Sequence, residues 1–197
     1  MSDIDETISE AVEHGSESRL NSIIALLVAI AATFMAVCNV KDGNIVQAMQ
    51  QAQANALDQW SYYQAKGMKL NLAESVLDQL TLQRATLTDQ KFAPLIDQKI
   101  ASYQSQVKKY TKEKEDIKKQ AEGFQKEYDA LNFHDDQFDM NEACISVAIA
   151  LFGVTALTKK WWLLGLASVF MFFGVLFGLA GFLGWSIHPD FLARILS

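Results

Sequence analysis

The sequence predicts an all-α integral membrane protein with three transmembrane helices and an antiparallel coiled-coil hairpin between the first and the second. Three observations predict this fold class. Residues 20–40 carry no charge, and residues 143–189 carry only Lys159 and Lys160. The segment 41–141 holds 13 of the 17 Lys and Arg and 15 of the 23 Asp and Glu. Apolar residues in that segment recur with heptad spacing, which is typical of a coiled coil.

Composition and motifs exclude several classes of function. The net charge of −6 leaves no basic excess for a nucleic-acid partner. The two cysteines and three histidines are scattered, and the sequence has no phosphate-binding loop, nucleophile elbow or zinc-protease motif. We therefore expect no catalytic residue, no cofactor and no enzymatic activity. The expected partner is the lipid bilayer.

The first transmembrane helix is predicted at 20–40. This neutral stretch of about 21 residues is long enough to cross a hydrocarbon core of ~30 Å. The N-terminal segment 1–19 is acidic and contains a single base. Because secretory signal peptides begin with a basic region, the segment is expected to precede an uncleaved anchor.

Two further transmembrane helices are predicted at 140–157 and 161–185. The sequence Asp139-Met140-Asn141-Glu142 is typical of a capping box, so the second helix is expected to begin there. Tryptophans bracket the third helix, and indole side chains favour the headgroup region of a bilayer. Residues 186–197 are expected to form a short interfacial helix.

Small residues recur at helical spacing on two of the transmembrane helices. Faces of this kind let helix backbones approach closely. The residues are Ala25, Ala29, Ala32 and Ala36 on the first helix, and Gly174, Gly178 and Gly181 on the third. One interpretation is helix packing within one subunit, and the other is the interface of a homo-oligomer.

The bases beside the membrane predict its orientation. The loop at Lys159 and Lys160 is short enough to count in the positive-inside rule, whereas the segment 41–141 is too long to count. We therefore expect the N-terminus in the cytoplasm and the hairpin in the periplasm, with the protein in the inner membrane of a bacterium.

The hydrophilic segment 41–139 is predicted to form two long helices with a turn near 88–94. No proline precedes Pro94, so long helices are allowed. Pro94 itself suits the first turn of the second helix. Because the two helices have similar lengths and both begin and end at the membrane, an antiparallel hairpin is the expected arrangement.

The seam of this hairpin is predicted from the heptads. The spacing between Ile96 and Leu131 is interrupted only by Lys114, while Gly67 and Arg84 interrupt the less regular first helix. The predicted seam contains Trp60, Leu77, Ile100, Val107, Ile117, Ala121 and Phe124.

A short aromatic motif and the order of the helices resemble a known bacterial family. The motif is Gln59-Trp60-Ser61-Tyr62-Tyr63-Gln64-Ala65-Lys66, preceded by Ala54-Asn55-Ala56. The sequence here resembles the family called domain of unknown function 4337. The layout of one membrane helix, a long helical segment and two more membrane helices is similar over nearly the whole chain. The resemblance implies this architecture and implies no activity.

Two groups of side chains are candidates for a metal site and for a disulfide bond. Asp135, Asp139 and Glu142 share a helical face and could hold a divalent cation, although capping and solvation of a helix start explain them more simply. Cys38 and Cys144 are expected at similar depth near the outer ends of the first two membrane helices. They could therefore form a disulfide, and two buried thiols are the simpler interpretation.

The sequence favours a non-enzymatic membrane scaffold or assembly protein. It would self-associate through its transmembrane helices and its hairpin. The first alternative is an accessory subunit of a transporter or membrane enzyme complex, in which the hairpin holds a partner within a larger membrane complex. The second alternative is a channel, but conductive pores usually have polar linings and the membrane segments are almost uncharged.

Overall fold

The computed structural model describes residues 2–88 and 90–187, and the side chains from Arg19 onward except that of Gln90. The regular structure in these residues is entirely helical. It consists of α1 (Ser2–Ala85), a 3-10 turn (Gln90–Phe92), α2 (Ala93–Thr158) and α3 (Trp161–Leu183). The predicted all-α class is therefore confirmed. Apart from its first two residues, the interfacial helix predicted at 186–197 lies outside the described residues.

Each of the three helices is long and apolar enough to cross a membrane. The stretches predicted to cross it are 20–40, which lies in α1, 140–157, which lies in α2, and 161–185, which contains the whole of α3. α3 ends because Gly184 adopts a left-handed conformation with φ 66°. The Ala180 carbonyl then accepts hydrogen bonds from the Gly184 N–H and, at 3.0 Å, from the Trp185 N–H.

α1 and α2 are long because no proline interrupts either of them. Pro94 lies in the first turn of α2, where its missing N–H would have no helical partner in any case. α1 ends at Ala85 and α2 begins at Ala93, so the break falls around the polar residues at which the sequence predicts a turn.

The helix start predicted near Met140 is wrong. α2 passes through 139–142 without a break. Backbone N–H groups inside a helix bond to the carbonyls four residues earlier, so they need no side-chain cap. Capping therefore does not explain the acidic residues Asp139 and Glu142.

The described chain divides into two compact units. The first contains the residues up to 47 together with those from 130 onward. Its apolar cluster draws on all three helices, with Leu20 and Ile24 from α1, Ala148 and Phe152 from α2, and Ala167 from α3. These side chains fix the three apolar stretches against one another.

The second unit contains residues 48–129, from α1 and α2. Lys66 Nζ lies 2.6 Å from Glu113 Oε2. Arg84 Nε donates a hydrogen bond of 2.8 Å to Asp97 Oδ1. Both ion pairs join α1 to α2, so the two helices lie side by side within this unit.

Candidate functional site

The glycine face of α3 packs inside the chain. Gly174, Gly178 and Gly181 are buried. A Cβ added at these positions would lie 2.7 Å from the side chains of Ile145, Phe34 and Phe138, respectively. Such a distance is well inside van der Waals contact. The glycines therefore let α3 approach its own neighbours, which is the first of the two interpretations drawn from the sequence.

The alanine face of α1 has the opposite environment. Its four members, Ala25, Ala29, Ala32 and Ala36, are all exposed. An open groove of about 480 Å³ adjoins one of them and is lined by Ala29, Ile30, Thr33, Phe34 and Val37. The only hydroxyl in the lining belongs to Thr33, and it donates to the Ala29 carbonyl at 2.8 Å. The face is thus apolar and is not covered by the rest of the described chain.

The residues predicted for the hairpin seam are all shielded from solvent in the second unit. Ile117 and Ala121 are buried, and Trp60, Leu77, Ile100, Val107 and Phe124 are half-buried.

Two positions that interrupt the heptad pattern, Gly67 on α1 and Lys114 on α2, lie next to each other. A Cβ at Gly67 would lie 3.7 Å from Cε and Nζ of Lys114. The lysine thus occupies the space left by the glycine, and its ammonium lies 4.8 Å from the centre of the Tyr63 ring.

The aromatic motif of α1 contributes to the same contact. Trp60 packs edge-on against Tyr63, with 5.5 Å between the ring centres. Lys66 Nζ lies 5.4 Å from the centre of the exposed Tyr62 ring and 5.5 Å from that of Tyr110. Its hydrogen bond to Glu113 raises the pKa of Lys66. The motif therefore supplies both apolar and charged contacts to α2.

Gln137 is a fully buried amide that joins the end of α3 to α2. Its Nε2 donates to the carbonyls of Trp185 and Ile187, each at 2.7 Å. Its Oε1 lies 3.1 Å from Nδ1 of His134. Every polar atom of this amide is satisfied, so the contact fixes the chain just after α3. Sequence patterns did not indicate it, because a single glutamine beside an apolar stretch carries no periodic signal.

Asn141 is a second fully buried amide on α2, and it is not satisfied. Neither of its amide atoms meets a hydrogen-bond partner of ordinary geometry among the described residues. The Cys38 thiol, a weak hydrogen-bonding group, lies beside it. On its other side, a Cβ at Gly178 would lie 3.0 Å from Asn141 Oδ1. This amide is a polar group inside an apolar stretch.

Acidic residues gather where α1 and α2 meet beside their apolar stretches. The carboxyl of Asp135 lies within hydrogen-bonding reach of that of Asp42, a residue that no sequence motif indicates. Burial, followed by the charge of Asp42, raises the pKa of Asp135 to about 7. The same two causes raise the pKa of Asp139. Counting outward from the turn would have revealed the pair, because Asp42 and Asp135 are nearly equidistant from it.

The predicted metal candidates do not form a metal site in the part of the chain that the structure describes. No group of three His, Cys, Asp or Glu side chains there is arranged to hold a metal ion. Asp135 turns toward Asp42, while Asp139 and Glu142 are exposed. The shared helical face therefore does not bring the three carboxylates together around one point.

Cys38 and Cys144 are both free thiols. Cys38 is buried and Cys144 is half-buried. Burial of this kind suits a small apolar side chain. A disulfide between them stays a prediction for protein isolated from an oxidising compartment.

Together these features define an all-helical protein with three helices of membrane-spanning length and composition. A family model with the description Domain of unknown function (DUF4337) matches residues 20–184. The chain therefore belongs to this family, and the resemblance seen in its aromatic motif and layout is confirmed. No curated protein and no solved structure matches the chain.

Proposed function

We propose that this protein is a non-enzymatic membrane scaffold that associates laterally with further copies of itself. The observation that carries the proposal is the exposed alanine face of α1. The glycine face of α3 is occupied by packing within the chain, whereas the alanine face and the groove beside Ala29 are not covered by any other described residue. Association of helices in lipid relies on close packing of small residues, so α1 is the helix best suited to contact a second subunit.

The second unit is proposed to form an antiparallel coiled-coil hairpin outside the membrane, which extends the contact between subunits. Two ion pairs support the antiparallel arrangement. From one pair to the next, the residue number rises on α1 and falls on α2, because Arg84 pairs with Asp97. The other pair is Lys66–Glu113. Along α2, the heptad positions are the shielded ones and most of the remaining positions are exposed. This alternation is the burial pattern of a coiled-coil seam.

The proposed location is the inner membrane of a bacterium, with the N-terminus in the cytoplasm and the hairpin in the periplasm. Lys159 and Lys160 form the short connection between α2 and α3. A short basic loop supports a cytoplasmic position under the positive-inside rule.

Native mass measurement in mild detergent tests the scaffold. We expect the wild-type protein to form a homo-oligomer and the double variant Ala29→Ile, Ala36→Ile to form a smaller species, because the added branches separate the helices. Ala150→Ile is the matched control, since Ala150 is an exposed alanine on α2. Its mass should equal that of the wild type.

Two other results would contradict self-association. A wild-type protein that is monomeric in several detergents would remove the basis of the proposal. An unlike chain that copurifies in a fixed ratio would instead identify an accessory subunit of a larger membrane complex.

A further inference from the structure

Two carboxyl groups from different helices meet beside the apolar stretches of the first unit. Asp42 follows the stretch 20–40 of α1, and Asp135 precedes the stretch 140–157 of α2. Both residues are half-buried. Their carboxyl groups lie within hydrogen-bonding reach of each other. In each carboxyl, Oδ1 is buried and meets no N–H or O–H donor among the described residues.

A hydrogen bond between these two carboxyls requires a proton. An ionised carboxyl has only acceptor oxygens, so two ionised carboxylates cannot hydrogen-bond to each other. When one of them is protonated, its O–H donates to the other and the charge of the pair falls by one. We propose that Asp42 and Asp135 form a carboxyl–carboxylate pair that binds one proton and thereby makes the contact between α1 and α2 beside the membrane sensitive to pH.

The surrounding charges favour proton binding. From α2, Asp136 and Asp139 both act on Asp135, and Glu142 acts in turn on Asp139. All of these groups are acidic. From α1, the thiol of Cys38 lies close enough to sense the charge of Asp42. A second negative charge at the pair would be repelled by the neighbouring carboxylates.

The charges that act on Asp135 all belong to acidic groups. The described residues of α3 include no ionisable side chain. Lys41 precedes Asp42 in the chain, and its side chain is exposed to solvent. His134 on α2 is held by Gln137. The groups that act on Asp135 are therefore Asp42, Asp139 and Asp136, with burial as the largest cause.

The direction of the pH dependence follows from these causes. Burial raises the pKa of both carboxyls, and that of Asp135 rises from 3.8 to about 7. Between these values the folded pair holds a proton that the unfolded chain would release. The free energy of unfolding therefore falls as the pH rises through this range. The α1–α2 contact is firmest in acid and loosens as the pair loses its proton.

Infrared difference spectroscopy of the full chain in lipid nanodiscs tests the pair. The wild type should show the band of a protonated carboxyl that disappears with a midpoint at about pH 7. Asp42→Asn and Asp135→Asn should each abolish that transition. Asp58→Asn is the matched control, because Asp58 is an exposed aspartate of α1 in the second unit. It should keep the transition unchanged.

A second measurement distinguishes the pair from an ordinary structural contact. Thermal unfolding of the wild type should shift to lower temperature as the pH rises toward neutrality, and the shift should be reduced in both asparagine variants but not in Asp58→Asn. The proposal fails if no carboxyl near neutral pH is protonated, or if the band persists in both variants. It also fails if Mg²⁺ or Ca²⁺ at constant ionic strength lowers the midpoint, because the pair would then be a cation site.

Discussion

Two buried amides one turn apart on α2 differ in how their polar atoms are paired. Gln137 donates to two backbone carbonyls, whereas Asn141 meets no partner of ordinary geometry in the described chain. A buried polar group without a partner costs about 1–3 kcal/mol. A side-chain amide therefore stabilises the fold at position 137 and opposes it at position 141.

Asn141→Leu is expected to raise the free energy of unfolding by about 1–3 kcal/mol, since leucine has nearly the same shape and no polar atoms to bury. Unfolding in detergent, followed by circular dichroism, measures the change. Gln137→Leu is the control and should lower stability, because the carbonyls of Trp185 and Ile187 lose their donor. Lower stability in the Asn141 variant would show that its amide is paired after all.

Glycine has two different roles within α3. Gly178 faces Phe34 and Asn141, while nothing lies within 4 Å of a Cβ added at Gly165. Gly178→Ala should lower the free energy of unfolding by about 1–3 kcal/mol through overpacking. Gly165→Ala should raise it by about 0.5–1 kcal/mol, because alanine loses less backbone entropy in a helix. Equal effects in a thermal melt would contradict the packing seen at Gly178.

At the scale of the helices, the second unit depends on apolar positions of α2 that face α1. Ala121 is fully buried, whereas Ala101 on the same helix is exposed. The same substitution can therefore be made at a buried and at an exposed alanine. The difference between the two changes in the free energy of unfolding is the cost of burying the new side chain, since the cost in helix propensity is common to both.

Ala121→Asp should lower the free energy of unfolding by roughly 2–5 kcal/mol, because a buried carboxylate loses its water and gains no partner. Ala101→Asp should cost less than about 1 kcal/mol, which is the difference in helix propensity alone. Circular dichroism of the full chain in detergent compares them. Similar melting temperatures would mean that position 121 faces water.

Much of the helical structure could be predicted because it depends on sequence features that repeat regularly or extend over many residues. Uncharged stretches identify the helices of spanning length, and heptads identify the shielded side of α2. The start of the second membrane helix was predicted wrongly, because Asp139-Met140-Asn141-Glu142 has the form of a capping box whether or not a helix begins there. α2 continues through it, since nothing before it breaks the helix.

The sites were harder to predict because they depend on single residues that become neighbours only in three dimensions. The acids of α2 share a helical face that the sequence indicates, but Asp42, the neighbour of Asp135, lies on another helix and far away in sequence. The sequence likewise offered two interpretations of the small-residue faces. Only the packing of α3 against Ile145, Phe34 and Phe138 separates the glycines from the exposed alanines.

At the scale of the whole molecule, the proposed orientation determines which compartment each hydrophilic segment meets. A variant in which Cys38 and Cys144 are replaced by serine provides a background for single cysteines. In intact spheroplasts, Thr88→Cys should react with an impermeant thiol reagent, and Ser16→Cys should react only after permeabilisation. Lysed spheroplasts are the control for reactivity. The reverse labelling pattern would place the hydrophilic segment in the cytoplasm.

The contact between Gly67 and Lys114 sets a condition on how relatives of this protein can diverge. If α1 and α2 slipped past each other by one heptad, Lys114 would lie opposite Trp60 instead of Gly67. The two positions together therefore define one register of the helices. A larger residue at 67 would displace the lysine unless 114 shortened as well. The two positions should therefore change together across the family. If they vary independently among related sequences, other contacts must set the register of the two helices.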